Sequence, residues 1–103
     1  MTNFIPLFPL GIVIYPGEKL HLHIFEPRYK QLVLDCVLHE KTFGIPTYIH
    51  KAVGSYGTEV EILNIEKKYD NGEMDIRSKG LRTFKILKYE KTAPGRFYAG
   101  GEI

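Results

Sequence analysis

A second cysteine is missing. Cys36 is the only one among 103 residues, so no disulfide can close within the chain, which fits a reducing compartment and makes the cytoplasm the expected location. Long apolar runs are missing as well. The N-terminal stretch "MTNFIPLFPLGIVIYPG" is apolar, but Pro6, Pro9, Gly11 and Pro16 interrupt it and no basic segment precedes it. It is expected to form strands rather than a signal peptide, and no stretch approaches the roughly 20 residues of a membrane span. An excess of one charge is also lacking: 14 Lys and Arg stand against 12 Asp and Glu, a formal net charge of +2. Neither half of the chain is a basic arm or an acidic tail, which weakens any electrostatic case for nucleic acid. No G-x-x-x-x-G-K-[ST] stretch occurs, so no P-loop nucleotide site is encoded.

What is present suits a small globular β-rich unit. A chain of this length buries roughly two-thirds of the surface its unfolded form exposes, enough for one core without staples. Pro9 and Gly11 divide the first apolar stretch into "FIPLF" and "IVIY". The first piece, with a proline inside it, is expected at a sheet edge or in a bent strand. "YPGE" at residues 15–18 has type II turn chemistry, and "LHLHIF" follows as a strand. Pro27 suits the first turn of a helix and Glu26 suits the positive end of its dipole. From there to about residue 40, Tyr29, Leu32, Val33, Cys36 and Val37 recur at helical spacing as one apolar stripe, while Leu34 and Leu38 form a second face that predicts contact beyond the main core.

The remainder predicts strands. "TFGIPTYI" is interrupted at Gly44 and Pro46; "GTEVEILNIEKKY" slips in its period-two phase, which predicts a bulge or bend. "YDNGE" at residues 69–73 is the clearest hairpin signal, with Asn71-Gly72 suited to positive φ. The following "EMDIRSKGLRTFKILKY" is expected to bend near Gly80, and "RFYAGGEI" makes a last strand. About six to seven short strands and a helix over 27–40 imply a mainly β fold, a small, partly closed β-barrel with the helix packed at one opening.

The residues that carry chemistry are few. In "HLHIFEPRY", His21 and His23 point to one face of a strand, so both imidazoles would suit one metal. A tetrahedral site needs more ligands than Glu26, His39 and His50 supply from their positions, and no metal or other cofactor is expected. Cys36 lies on the apolar stripe, where a free cysteine behaves as a small hydrophobe rather than a nucleophile. Glu26 and Arg28 suit capping and surface pairing, with partner recognition as the second reading. Most phenylalanines fall at strand positions and are expected in the core. Tyrosine keeps a polar tip, so Tyr15, Tyr48 and Tyr56 are candidates to border a groove.

"PLFPLGIVIYPGEKLHLHIFEPRYKQLV" (residues 6–33), "GTEVEI" (57–62) and "DNGEMDIRSKGLRTFKI" (70–86) together resemble, in order and over nearly the whole chain, the N-terminal substrate-binding domain of Lon proteases. The resemblance implies a PUA-like barrel, residues 1–103 forming one such domain. In that family the module precedes an ATPase and a Ser-Lys peptidase and helps capture substrate proteins. Only Ser55 and Ser78 are present here, neither in a setting like the Lon peptidase site. The chain is therefore expected to be non-catalytic. A helical subdomain usually follows the barrel in the family, and Leu34 and Leu38 are candidates for a surface it would cover.

The function this implies is binding of unfolded or exposed apolar polypeptide segments, through a hydrophobic groove or a strand edge. Phe4 and Ile5 in "FIPLF" are the candidate edge, and Leu34 and Leu38 the candidate face for a partner or for homo-oligomer formation. The alternative is an RNA-binding PUA-like module, with Lys79, Arg82, Lys85 and Lys88 beside Tyr89. Glu73, Asp75 and Glu90 flank that cluster and weigh against it.

Overall fold

The structure, a computed structural model, describes residues 4–50 and 52–103; residues 1–3 of the apolar opening stretch lie outside it. Seven strands and one helix follow in the order β1 (Phe4–Leu7), β2 (Lys19–Ile24), α1 (Pro27–Leu38), β3 (Phe43–Ile49), β4 (Ala52–Lys68), β5 (Met74–Lys85), β6 (Lys88–Glu90) and β7 (Ala99–Glu102). They form one sheet of order β2-β5-β4-β3-β1-β7-β6, whose end strands do not pair with each other. The expected mainly β fold with a single helix is found, as a barrel that stays open.

The long β4–β5 hairpin is the frame. Its turn is a type I turn with Gly72 in the left-handed region (φ +88°), closed by Gly72 N–H to Tyr69 O (3.0 Å) and Tyr69 N–H to Glu73 O (2.9 Å). This is the three-residue loop with a glycine bulge. Only the glycine takes positive φ there, not Asn71 as the sequence suggested, because the type I turn needs it at one position alone. The pairing slips at Glu59/Val60, Ile62/Asn64 and Ile65/Lys67, which accounts for the broken alternation along β4. The first slip lies opposite Gly80–Arg82, where a bend was expected. Each bulge increases local twist, so the sheet wraps.

The side facing α1 holds the core: Ile24, Phe43, Ile45, Val60, Met74 and Ile76 from the strands meet Tyr29, Leu32, Val33 and Cys36 of the helix. Along β5, Met74, Ile76, Ser78 and Gly80 are buried while the residues between them are more accessible, the alternation of a half-buried strand. The buried Ser78 hydroxyl donates to Leu20 O (2.9 Å), which satisfies it across the β2–β5 pair.

Four expectations change. "IVIY" is not a strand; it runs as an unpaired extended segment between Gly11 (φ +74°) and the Tyr15–Glu18 turn. Ile14 alone of the four is buried, held by the Thr58 hydroxyl donating to its carbonyl (2.7 Å). "FIPLF" is not a sheet edge, because β1 lies between β3 and β7. It pairs antiparallel with β7 from Phe4↔Glu102 to Leu7↔Ala99, and meets β3 at Leu7↔Gly44. Val37 leaves the buried stripe and is 46% exposed, since the core contacts cover a face narrower than five positions. Of the six phenylalanines, Phe8 and Phe43 are buried but Phe4, Phe25 and Phe97 are exposed.

Candidate functional site

Helix α1 carries several of the accessible side chains. Pro27 fills its first position and Glu26 stands at the N-cap in an extended conformation, but the Glu26 carboxylate makes no cap hydrogen bond. It pairs instead with Arg28 Nε (2.9 Å). The Arg28 guanidinium lies 4.7 Å from the centroid of the Tyr29 ring, and that ring stacks on Phe8 at 3.8 Å. Arg28 is thereby held over a rigid aromatic platform at the end of the core.

Beside it opens a cavity of about 450 Å³ whose walls bring together Arg28, Tyr29, Tyr48, Tyr89 and Lys91 over Pro9 and Ala99. Burial, first, then the Glu26 carboxylate and the neighbouring phenols push the Tyr29 hydroxyl pKa up, against the pull of Arg28; Tyr89 is raised by burial and by Tyr48. These phenols therefore stay protonated, as O–H donors, at neutral pH. A smaller cleft of about 230 Å³ continues from the same Arg28 and Tyr29, lined by Phe8, Leu10 and Phe25.

The other accessible feature is apolar. Leu34, Val37 and Leu38 are 51%, 46% and 74% exposed on α1, and Phe97, 71% exposed, stands beside the helix. The loop carrying Phe97 is tied down: its N–H donates to Gln31 Oε1 (2.8 Å), Arg96 Nε pairs with Asp35 Oδ2 (2.8 Å), and Tyr98 O–H donates to the same oxygen (2.7 Å). Burial and that hydrogen bond push the Tyr98 phenol up to about 12. The ring of Phe97 is thus presented on an ordered support.

Among the residues singled out from sequence, Arg28 and Tyr48 meet in the larger cavity, and Glu26 borders the smaller one. Phe4 and Ile5, placed inside the sheet, offer no free strand edge. Phe4 lines a cleft with Asp35 and His39, the neighbours of Leu34 and Leu38. Tyr15 and Tyr56 are exposed but stand outside the cavity of Tyr48, so the three do not border one groove. Phe97 and Lys91 were missed. An aromatic directly after a Pro94-Gly95 turn was the available signal for the first; nothing in the sequence marked the second.

The remaining candidates resolve into pairs. His21 Nδ1 meets Glu66 (3.0 Å), and His23 bridges Asp75 (2.6 Å) and Glu73 (2.9 Å). Among the described residues, no three His, Cys, Asp or Glu side chains are grouped to hold a metal ion. Desolvation in the core pushes the Cys36 thiol up to about 12, which leaves it un-ionised and a poor nucleophile. In the basic stretch, Arg82 pairs with Glu59 (2.6 Å) and Lys88 with Glu90 (3.4 Å). No helix among the described residues is long and apolar enough to cross a membrane.

Comparison with known proteins bears on this geometry directly. The solved structure of a Lon N-terminal domain protein from Xanthomonas campestris superposes with a TM-score of 0.81 at 31% identity, covering 96% of this chain and 57% of that one. The N-terminal domain of the Mycobacterium avium complex Lon protease superposes at 0.74 over 96% of this chain and 52% of that one; at 14% identity it shows the fold alone. Protein cereblon of Gallus gallus is 25% identical over 96 residues, 88% of this chain and 22% of that protein. This chain thus spans about half the length of the solved relatives and about a fifth of the curated one. The family model of the ATP-dependent protease La (LON) substrate-binding domain matches residues 5–100. Such a match takes in nearly every element described above, and the chain belongs to that family.

Proposed function

We propose that residues 1–103 act as one non-catalytic binding module that takes exposed apolar segments of unfolded polypeptide, in the cytoplasm. The observation that carries this reading is the apolar face of α1, where Leu34, Val37 and Leu38 remain open to solvent, with the exposed Phe97 on the loop anchored to Gln31 and Asp35. Scattered single hydrophobes need no explanation, but several on one helix face with an aromatic beside them mark an interaction surface. The membership of the substrate-binding family supports polypeptide as the partner. An extended client would lie along the helix, its apolar side chains covering these leucines, with modest affinity because the client loses chain entropy on docking.

Fluorescence anisotropy of a labelled, permanently unfolded polypeptide tests the proposal, with the same protein in folded form and a single-stranded RNA as controls. Selective binding of the unfolded chain, changing little with salt, is the expected result. The double substitution Leu34→Asp, Leu38→Asp should weaken it about tenfold or more, the scale of losing contacts worth roughly 25 cal/mol per Å² of apolar surface. Circular dichroism should show an unchanged fold, since both positions are exposed. Equal binding by the variant would remove the helix face from the site. RNA binding that collapses with added salt would instead point to phosphate contacts.

A further inference from the structure

The cavity beside Arg28 is chemically unlike the apolar helix face. Arg28 and Lys91 supply two positive charges to its wall, and none of the described residues that line it is a carboxylate. Glu26, on the wall of the adjoining cleft, accepts from Arg28 Nε and offsets part of that charge, but the two terminal guanidinium nitrogens are not engaged by that contact. Three phenols complete the wall. The tyrosines that serve the fold look different: Tyr69 and Tyr98 each donate to an aspartate. No side-chain hydrogen bond of that kind engages the hydroxyls of Tyr29, Tyr48 or Tyr89 among the described residues.

Donors and cations around one space, with no carboxylate among the described residues that line it, match an oxyanion, which accepts several hydrogen bonds at once. An isolated small anion would leave most of the space unused. The adjoining cleft shares Pro9, Arg28 and Tyr29 with the cavity and is apolar along Phe8, Leu10, Ile24 and Phe25, with His23 and Glu26 as its polar border. A ligand filling both therefore carries a carboxylate next to a hydrophobic side chain. The end of a polypeptide chain has this chemistry whenever its last residue is apolar.

We propose that the Arg28–Lys91–tyrosine cavity and the adjoining Phe8–Phe25 cleft bind the free C-terminal carboxylate of a polypeptide together with its terminal apolar side chain. This rests on the polypeptide-binding reading above but assigns a different surface, on the N-terminal side of α1. The site distinguishes a chain end from an internal segment, which the helix face does not. Arg28 acts as the main carboxylate partner, fixed by stacking on Tyr29 and by Glu26; Lys91 adds charge at the rim.

The test uses a labelled pentapeptide ending in Leu-Phe with a free carboxylate, the same peptide as its C-terminal amide, and inorganic phosphate as competitor. The acid should bind about tenfold or more tightly than the amide, the scale of losing a charge-assisted contact. Arg28→Gln and Tyr48→Phe should each erase most of that difference while the circular dichroism spectrum stays unchanged, and phosphate at millimolar concentration should displace the acid. Equal binding of acid and amide overturns the proposal, as does binding of phosphate without any binding of the acid peptide. A permanently unfolded chain with an amidated end separates the two readings. If it binds wild type while acid and amide peptides do not differ, the chain-end site fails and the helix face stands. If it does not bind but the acid peptide does, the helix face fails and the chain-end site stands.

Discussion

His23 is bonded through both ring nitrogens, Nδ1 to Asp75 and Nε2 to Glu73. A neutral imidazole has one donor, so two carboxylate partners favour the imidazolium. Its pKa is accordingly raised, by the hydrogen bond to Asp75 first and that to Glu73 second. Asp75 is lowered by the hydrogen bonds from Tyr69 and His23. The two contribute over opposite ranges. The histidine's contribution is complete below its unfolded pKa, about 6.5, and is lost as pH rises through the raised folded value. The aspartate's is complete above its unfolded value and is lost as pH falls through the lowered one. The tie from β2 to the β5 side of the hairpin is therefore strongest in mildly acidic solution. Urea unfolding should show wild type losing stability relative to His23→Gln between pH 6 and pH 9, and an NMR titration of the ring should show the elevated midpoint. The sequence made the shared face of His21 and His23 legible. It did not disclose their partners, because the carboxylate that meets His23 lies 52 residues away on a strand brought alongside by the hairpin.

At the scale of the element, helix α1 was legible from its proline start and its spacing, while its end was not. The helix stops at Leu38 in a Schellman turn: Lys41 N–H reaches back to Cys36 O (2.8 Å), with Glu40 at φ +51°. Glycine is the residue such a position favours, and glutamate there gave no sequence signal to stop. A side chain in the left-handed region costs about 1 kcal/mol or more, so Glu40→Gly should raise the unfolding free energy by about 1 kcal/mol, read by chemical denaturation. Gly57 presents the opposite case. A Cβ there would stand 2.8 Å from Ile45 O and from Pro46 Cα of β3, and equally close to the Phe84 ring. Backbone cannot swing aside as a side chain can, and Gly57→Ala should lower stability by about 1–3 kcal/mol. "IVIY" was misleading for a related reason: its apolar residues suit a strand, but no neighbouring edge is offered to them, since β5 takes up the chain again only at Gly17 N–H to Gly80 O.

Over the whole molecule, local signals described the hairpin and the helix, and the family likeness described their assembly. Composition and periodicity did not indicate that β1 would be enclosed, because that depends on a pairing between the two ends of the described chain, Phe4 opposite Glu102. The candidate surfaces follow from this assembly. Tyr48 comes from β3, Tyr89 from β6 and Arg28 from α1, elements whose order along the sequence gives no hint that they share a cavity. Since residues 4 and 102 lie side by side, a circular permutant joining them by a short flexible linker and opened at the Asn71–Gly72 turn should fold with an unchanged circular dichroism spectrum. Failure to fold would show that the β4–β5 turn must be continuous.

The antiparallel pairing of β1 with β7 also decides how the molecule answers to force. Tension drawn through the two neighbouring ends loads the hydrogen bonds of that pair in succession rather than together, so the seam unzips residue by residue from Phe4 and Glu102 inward. Mechanical resistance would then be low along this axis, and β1 and β7 would be the first strands to part, while the β4–β5 hairpin is still intact.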